Sequence, residues 1–141
     1  MSPLDKESLQ SKIARIRRNL RELKRLGKLP YKKYIQEDYH TAVAERLLHI
    51  SIEAMLDIGS HIIAEEGLGE PLEYRNVFSI LVKAKILPKN KEEDFVNLTG
   101  LRNRIVHLYD TIDHKRIHSF LQHNLNDFEI FIKKVTQYLA S

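Results

Sequence analysis

Apolar residues recur along this chain at intervals of three and four, and no stretch alternates with period two for long enough to make a strand. Leu9, Ile13, Ile16, Leu20 and Leu23 form a heptad-like row that predicts a helix from about Asp5 to Leu26, stopped by Gly27 and Pro30. A second periodic segment runs roughly from Tyr31 to Glu66 and ends at Gly67. Its apolar positions, among them Leu47, Leu48, Ile52, Met55, Ile58 and Ile62, reach most of the way around, as expected at a bundle centre or a subunit interface. After Pro71, Tyr74, Val77, Phe78, Leu81 and Ala84 mark a short helix closed by Pro88. Asn90-Lys91-Glu92-Glu93 has the form of a cap with a glutamate three residues on, opening a fourth helix that runs to a break at Asp110 to Asp113. Asp113 can cap a fifth, with Ile117, Leu121, Leu125, Phe128, Ile132, Val135 and Leu139 facing inward. The pattern therefore predicts one all-α domain over residues 1–141, an up-and-down helical bundle of about five helices with one of them short.

The fourth helix departs from plain bundle filler. Leu101-Arg102-Asn103-Arg104-Ile105-Val106-His107-Leu108-Tyr109 places Arg102 on nearly the same stripe as Tyr109, together with Phe95, Leu98 and Ile105. An arginine interrupting an apolar arc needs a carboxylate, a phosphate or a route to water. On a regular helix His107 lies roughly 140° around from Arg102. The two cannot then grip one phosphate, unless the helix unwinds near His107 or two copies of the chain build a shared site.

These residue types suit RNA phosphodiester cleavage, which needs a base for the 2′-hydroxyl, positive charge on the phosphorane oxygens and an acid for the departing 5′-oxygen. His107 is the candidate for proton transfer, because imidazole titrates near physiological pH. Arg102 offers a bidentate fork for the phosphate. Asn103, one turn before His107, can orient it or the substrate. The structural alternative is a salt-bridged arginine and a histidine favoured at a helix C-terminus by the dipole.

The residues also carry a resemblance. Arg102-Asn103-x3-His107 resembles the Arg-polar-x-His signature of HEPN-domain ribonucleases, and His107-Leu108-Tyr109 extends it to the Arg-x4-His-x-Tyr form of HepT-like toxins. Ala44-Glu45-Arg46, Ile52 to Ile58, His61 to Glu65 and Tyr74-Arg75 are similar to that family too, so the likeness covers nearly the whole chain. It implies a HEPN-like fold and a homodimeric, metal-independent endoribonuclease with no cofactor. One His107 would act as base and its copy as acid. It further implies a toxin restrained by a nucleotidyltransferase antitoxin that adds AMP to Tyr109. Charge and bulk attached beside a phosphate-binding arginine would occupy the place intended for RNA. Without the resemblance, Tyr109 reads as a half-buried aromatic whose hydroxyl reaches water. A rival reading from the same family is a non-catalytic module that binds a nucleotide or the partner transferase.

The remaining features change the picture less. Arg46, His49, Glu53, Asp57 and Ser60 form a polar stripe on the second segment, read either as internal ion pairs or as a support for the motif, with Arg46, Glu53 and Asp57 its candidates. Arg17, Arg21, Lys24 and Lys28 make a basic flank on the first helix, a solvated face or a site for RNA or an acidic partner. The net charge of +4 is compatible with a polyanion and too mild to establish one. His114 and His118 stand one turn apart with His123 nearby, but further zinc ligands are missing, and His40, His49 and His61 are scattered, so no metal site is expected. The absence of cysteine excludes disulfides and thiolate zinc sites. With a charged N-terminus and no apolar run approaching the length of a bilayer span, the chain is expected to be unprocessed, cytoplasmic and without a membrane partner.

Overall fold

A computed structural model describes residues 2–107 and 111–141, apart from the side chain of residue 4. Among the described residues there are seven α-helices and no strand: α1 (Pro3–Gly27), α2 (Tyr31–Gln36), α3 (Asp38–Glu66), α4 (Tyr74–Lys83), α5 (Glu92–Val106), α6 (His114–His123) and α7 (Asn126–Ala140), with a 3-10 turn at Lys89–Lys91 before α5. The all-α bundle is as expected; the helix count exceeds five because two of the expected helices are each broken once.

The first break is at Glu37, whose backbone is extended (φ −118°, ψ 123°). No proline or glycine causes it. His40 Nδ1 lies 3.1 Å from the Lys33 carbonyl, and the His40 amide donates to the Glu37 carbonyl, so the broken ends are satisfied locally. The break lets α2 lean across to α6, where the Tyr34 ring is fully buried 5.0 Å from the His118 ring. The second break separates α6 from α7 at Asn124 and Leu125. There Asp127, buried in the first turn of α7, takes the Lys91 ammonium at 2.8 Å, and Asp94 takes it at 2.9 Å. These hydrogen bonds to two carboxylates raise the Lys91 pKa.

Helix α3 is the centre of the bundle and packs against α1, α4 and α5. By length and composition it does satisfy the requirement for crossing a membrane, contrary to the sequence expectation, yet more than half of that apolar window is buried inside the protein. At Gly59 it comes close to α4: a Cβ there would sit 2.6 Å from Val77 Cγ1. It ends at Gly67, whose φ of 62° is left-handed, with the Leu68 amide reaching back to the Ile63 carbonyl. Phe78 of α4, Phe95 of α5 and Phe131 of α7 meet in the core. Phe78 and Phe95 stack at 5.6 Å, with Phe131 edge-on to Phe78 at 6.1 Å. This aromatic trio anchors the N-terminal half of α5 and so sets where its C-terminal half, with the arginine motif, emerges.

Candidate active site

Phe95, Leu98, Leu101 and Ile105 bury one face of α5, and Arg102 leaves that face toward α3. Its counter-charge is Glu53: Arg102 Nε donates to Glu53 Oε1 at 2.5 Å, and His49 Nε2 lies 3.6 Å from the same oxygen. Arg102 Nη1 donates to Asn103 Oδ1 at 3.0 Å. The guanidinium carbon sits 4.6 Å from the centroid of the Tyr74 ring, which remains half-exposed. A carboxylate, an amide and an aromatic face therefore fix the fork in one orientation. Its Arg102 side chain is only 16% exposed, so this is a prepared cation rather than a solvated one.

Helix α5 ends at Val106, earlier than the break expected at Asp110. His107 has extended backbone (φ −83°, ψ 94°), and its amide still donates to the Asn103 carbonyl at 3.0 Å. The near-helical φ and the retained bond to Asn103 keep the exposed His107 side chain where a continuing helix would hold it, roughly 140° around from Arg102, and only the chain after it is released. Of the two conditions for Arg102 and His107 to act together, the second copy of the chain is the one left open. Asn103 is engaged with Arg102 through its side chain and with His107 through its carbonyl. Tyr109 lies outside the described residues.

Residues 16–135 match the family model described as ribonuclease HepT-like. The chain belongs to the ribonuclease HepT-like family. Over 141 residues, all of this chain and 96% of the relative, it is 26% identical to the tRNA nuclease HepT of Aphanizomenon flos-aquae. Over 80 residues, 57% of this chain and 60% of the relative, it is 34% identical to the mRNA nuclease HepT of Shewanella oneidensis. Its fold is similar to the tri-AMPylated Shewanella oneidensis HEPN toxin solved in complex with an MNT antitoxin, with a TM-score of 0.85 and 26% identity over 97% of this chain and 99% of that one.

Within this HepT-like fold the polar stripe of α3 divides. Glu53 touches Arg102 directly, whereas Arg46 and Asp57 line the groove beside it and make no ion pair or hydrogen bond among the described residues. Two grooves meet at the Arg102-Asn103 pair: one between α1 and α3 that includes Lys12, Arg15, Arg46 and His49, the other lined by Tyr74, Arg75, Leu72 and Asn103. Tyr74 read as a core position in the sequence, since its spacing matches the apolar row of α4; only the fold turns its ring onto Arg102. Lys12 and Arg15 were also missed, because two cations at i, i+3 on a long helix are unremarkable by spacing alone.

His114 and His118 of α6 have structural partners. His118 is buried with Nε2 2.7 Å from the Leu29 carbonyl, between the rings of Tyr31 and Tyr34. His114 Nδ1 lies 3.5 Å from Glu45 Oε2 of α3. Burial raises the Glu45 carboxyl above the ordinary range, and His114 acts in the opposite direction. The pair one turn apart thus points to different partners and does not converge on a metal. His61, read as isolated, stands with Asp5 and Glu65, one potential ligand atom from each within 4.8 Å of the others, two turns of α3 beyond Glu53.

Proposed function

We propose that Arg102, Asn103 and His107 are the residues of this chain that cleave RNA, in a site completed by a second copy. As a ribonuclease HepT-like protein, the chain is the endoribonuclease toxin of a toxin-antitoxin pair, neutralised by AMPylation from a nucleotidyltransferase antitoxin. The observation that carries the residue assignment is the chain of contacts from Glu53 through Arg102 to Asn103, ending one turn later where α5 stops at an exposed His107. Glu53 occupies the Nε–H and orients the guanidinium. One Nη1 N–H is held by Asn103 Oδ1, and the N–H groups left over, chiefly those of Nη2, receive the non-bridging oxygens of the scissile phosphate, where negative charge grows as the phosphorane forms.

His107 takes the proton of the 2′-hydroxyl as its oxygen attacks phosphorus. The P–O bond to the next nucleoside breaks, and its 5′-oxygen collects a proton from the second copy's histidine. The products are a 2′,3′-cyclic phosphate and a 5′-hydroxyl, and no metal enters the balance. One histidine per chain supplies either the base or the acid, which is the chemical reason for a homodimer. The cytoplasm, where RNA and ATP are both available, is the compartment of this reaction.

Tyr109 is the acceptor of AMP. Its hydroxyl oxygen attacks the α-phosphorus of ATP, pyrophosphate departs, and the phenolic proton is lost. Two residues from His107, the added phosphate competes for Arg102 and the nucleoside blocks the site.

Cleavage of a labelled RNA pool by purified protein in EDTA tests the assignment. Cyclic-phosphate ends are expected from the wild type freed of AMP and not from Arg102→Ala or His107→Ala. Equal cleavage by all three would place the chemistry elsewhere. Inactivity of the unmodified wild type would favour the non-catalytic, transferase-binding module.

A further inference from the structure

The groove between α1 and α3 holds more positive charge than the site needs. Lys12 and Arg15 of α1, Arg46 of α3 and Arg102 of α5 face it, against the carboxylates of Glu53 and Asp57. Glu53 is committed to Arg102, while Lys12, Arg15 and Arg46 make no ion pair or hydrogen bond among the described residues. Elsewhere on α1, Lys24 pairs with Glu129 of α7 and Arg25 with Glu22, while Arg17, Arg18 and Arg21 make no ion pair among the described residues either; what sets Lys12, Arg15 and Arg46 apart is that they converge on one groove with Arg102. Cations left uncompensated on both walls of one groove, with a prepared arginine at its end, form a surface for a polyanion whose charges are spaced along a chain.

We infer that Lys12, Arg15 and Arg46 are the phosphate track of the RNA substrate, holding the backbone on one side of the scissile bond while Arg102 holds the scissile phosphate itself. This rests on the nuclease reading above and extends it to substrate binding. Lys12 and Arg15 are one helical turn apart on the wall opposite Arg46, so successive phosphates can be gripped alternately from α1 and α3. Ser11, exposed on the same wall of the groove, adds a hydroxyl donor. His49, 3.6 Å from the Glu53 carboxylate, sits at the junction of track and site. Contacts of this kind carry no sequence code; they set affinity and register.

The basic flank that the sequence pattern singles out is a different surface. Arg17, Arg21 and Lys24 lie on the opposite side of the apolar row, toward α7. That makes Arg17→Gln/Arg21→Gln a control that removes charge from the same helix without touching the track.

The test measures binding of a short labelled single-stranded RNA as a function of salt, in a His107→Ala background that prevents turnover, with wild-type cleavage run alongside. Adding Lys12→Gln, Arg15→Gln and Arg46→Gln should weaken binding by on the order of tenfold or more and make the slope of log affinity against log salt shallower by about 2, while the control pair leaves the slope within about half of that change. Equal losses from both sets would mean general charge attraction and overturn the track. So would an unchanged slope in the triple variant while the wild type still cleaves, which leaves the nuclease reading standing. Absence of both RNA binding and wild-type cleavage would sink the two together.

Discussion

The Glu53 carboxylate of α3 accepts the Nε–H of Arg102 on α5 at 2.5 Å, joining residues 49 positions apart in the chain. The bond sets the angle of the guanidinium and, with Nη1 donating to Asn103, leaves Nη2 as the end that meets the phosphate in the proposed reaction. Glu53→Gln should therefore act on the chemistry more than on the fold. With the two side chains 33% and 16% exposed, a loss of about 1–2 kcal/mol in stability is expected. Misplacement of the fork should lower kcat by roughly 10- to 100-fold with little change in KM. Single-turnover cleavage beside urea melts separates the two effects, and a stability loss without a kcat loss would reduce Glu53 to an ordinary ion-pair partner.

His107 lies beyond the last turn of α5 with an exposed side chain. Its replacement by alanine should abolish cyclic-phosphate formation and leave thermal unfolding within about 0.5 kcal/mol of wild type, as for other surface changes. Growth arrest on expression offers a simple readout, a toxic wild type against a harmless variant.

For Tyr109 the expected experiment is intact-mass analysis after incubation with the cognate transferase and ATP. Adducts in AMP increments should appear on the wild type and vanish in Tyr109→Phe. An adduct that persists in the phenylalanine variant would move the acceptor to another side chain.

Gly59 lets α4 approach α3, and α4 carries the Tyr74 ring that covers Arg102. Gly59→Ala would drive a Cβ into Val77 Cγ1 at 2.6 Å and toward Leu81 Cδ1 at 3.1 Å. Overpacking costs about 1–3 kcal/mol, partly offset by the roughly 1 kcal/mol that alanine contributes over glycine inside a helix. A net destabilisation of up to about 2 kcal/mol is expected in urea unfolding, with a loss of activity that exceeds it if α4 shifts.

Glu45 provides a pH test. Burial raises its folded pKa above the unfolded value, so its contribution to stability is fully present below the unfolded carboxylate range and is lost as pH rises through the higher folded value. Glu45→Gln resembles the protonated form and should abolish that loss. Relative to wild type the variant should gain stability between about pH 4 and pH 7, measured by thermal melts across that window. A relative loss over the same interval would mean that the ion pair with His114 outweighs burial.

How far the site was legible differs from residue to residue. Arg102, Asn103 and His107 are close neighbours in the chain, so their spacing carried the proposed assignment, and the requirement that Arg102 find a carboxylate, a phosphate or a route to water followed from its place in an apolar arc. Which carboxylate was open, since Glu53 and Asp57 share one polar stripe one turn apart. The end of α5 at His107 had no proline or glycine to announce it. The same holds for the break at Glu37, where burial of Tyr34 against His118 of a distant helix accompanies a turn that local propensity does not favour.

The sequence by itself determined the helical class, the polar motif and its likeness to a ribonuclease family, because periodicity and close spacing are local properties that survive without knowledge of the fold. The tertiary structure alone decided that Glu53 rather than Asp57 holds Arg102, that Tyr74 covers it, and that Lys12 and Arg15 rather than Arg17 and Arg21 border its groove. Those choices depend on the rotation of each helix about its own axis, and that rotation is set by packing between residues far apart in the chain.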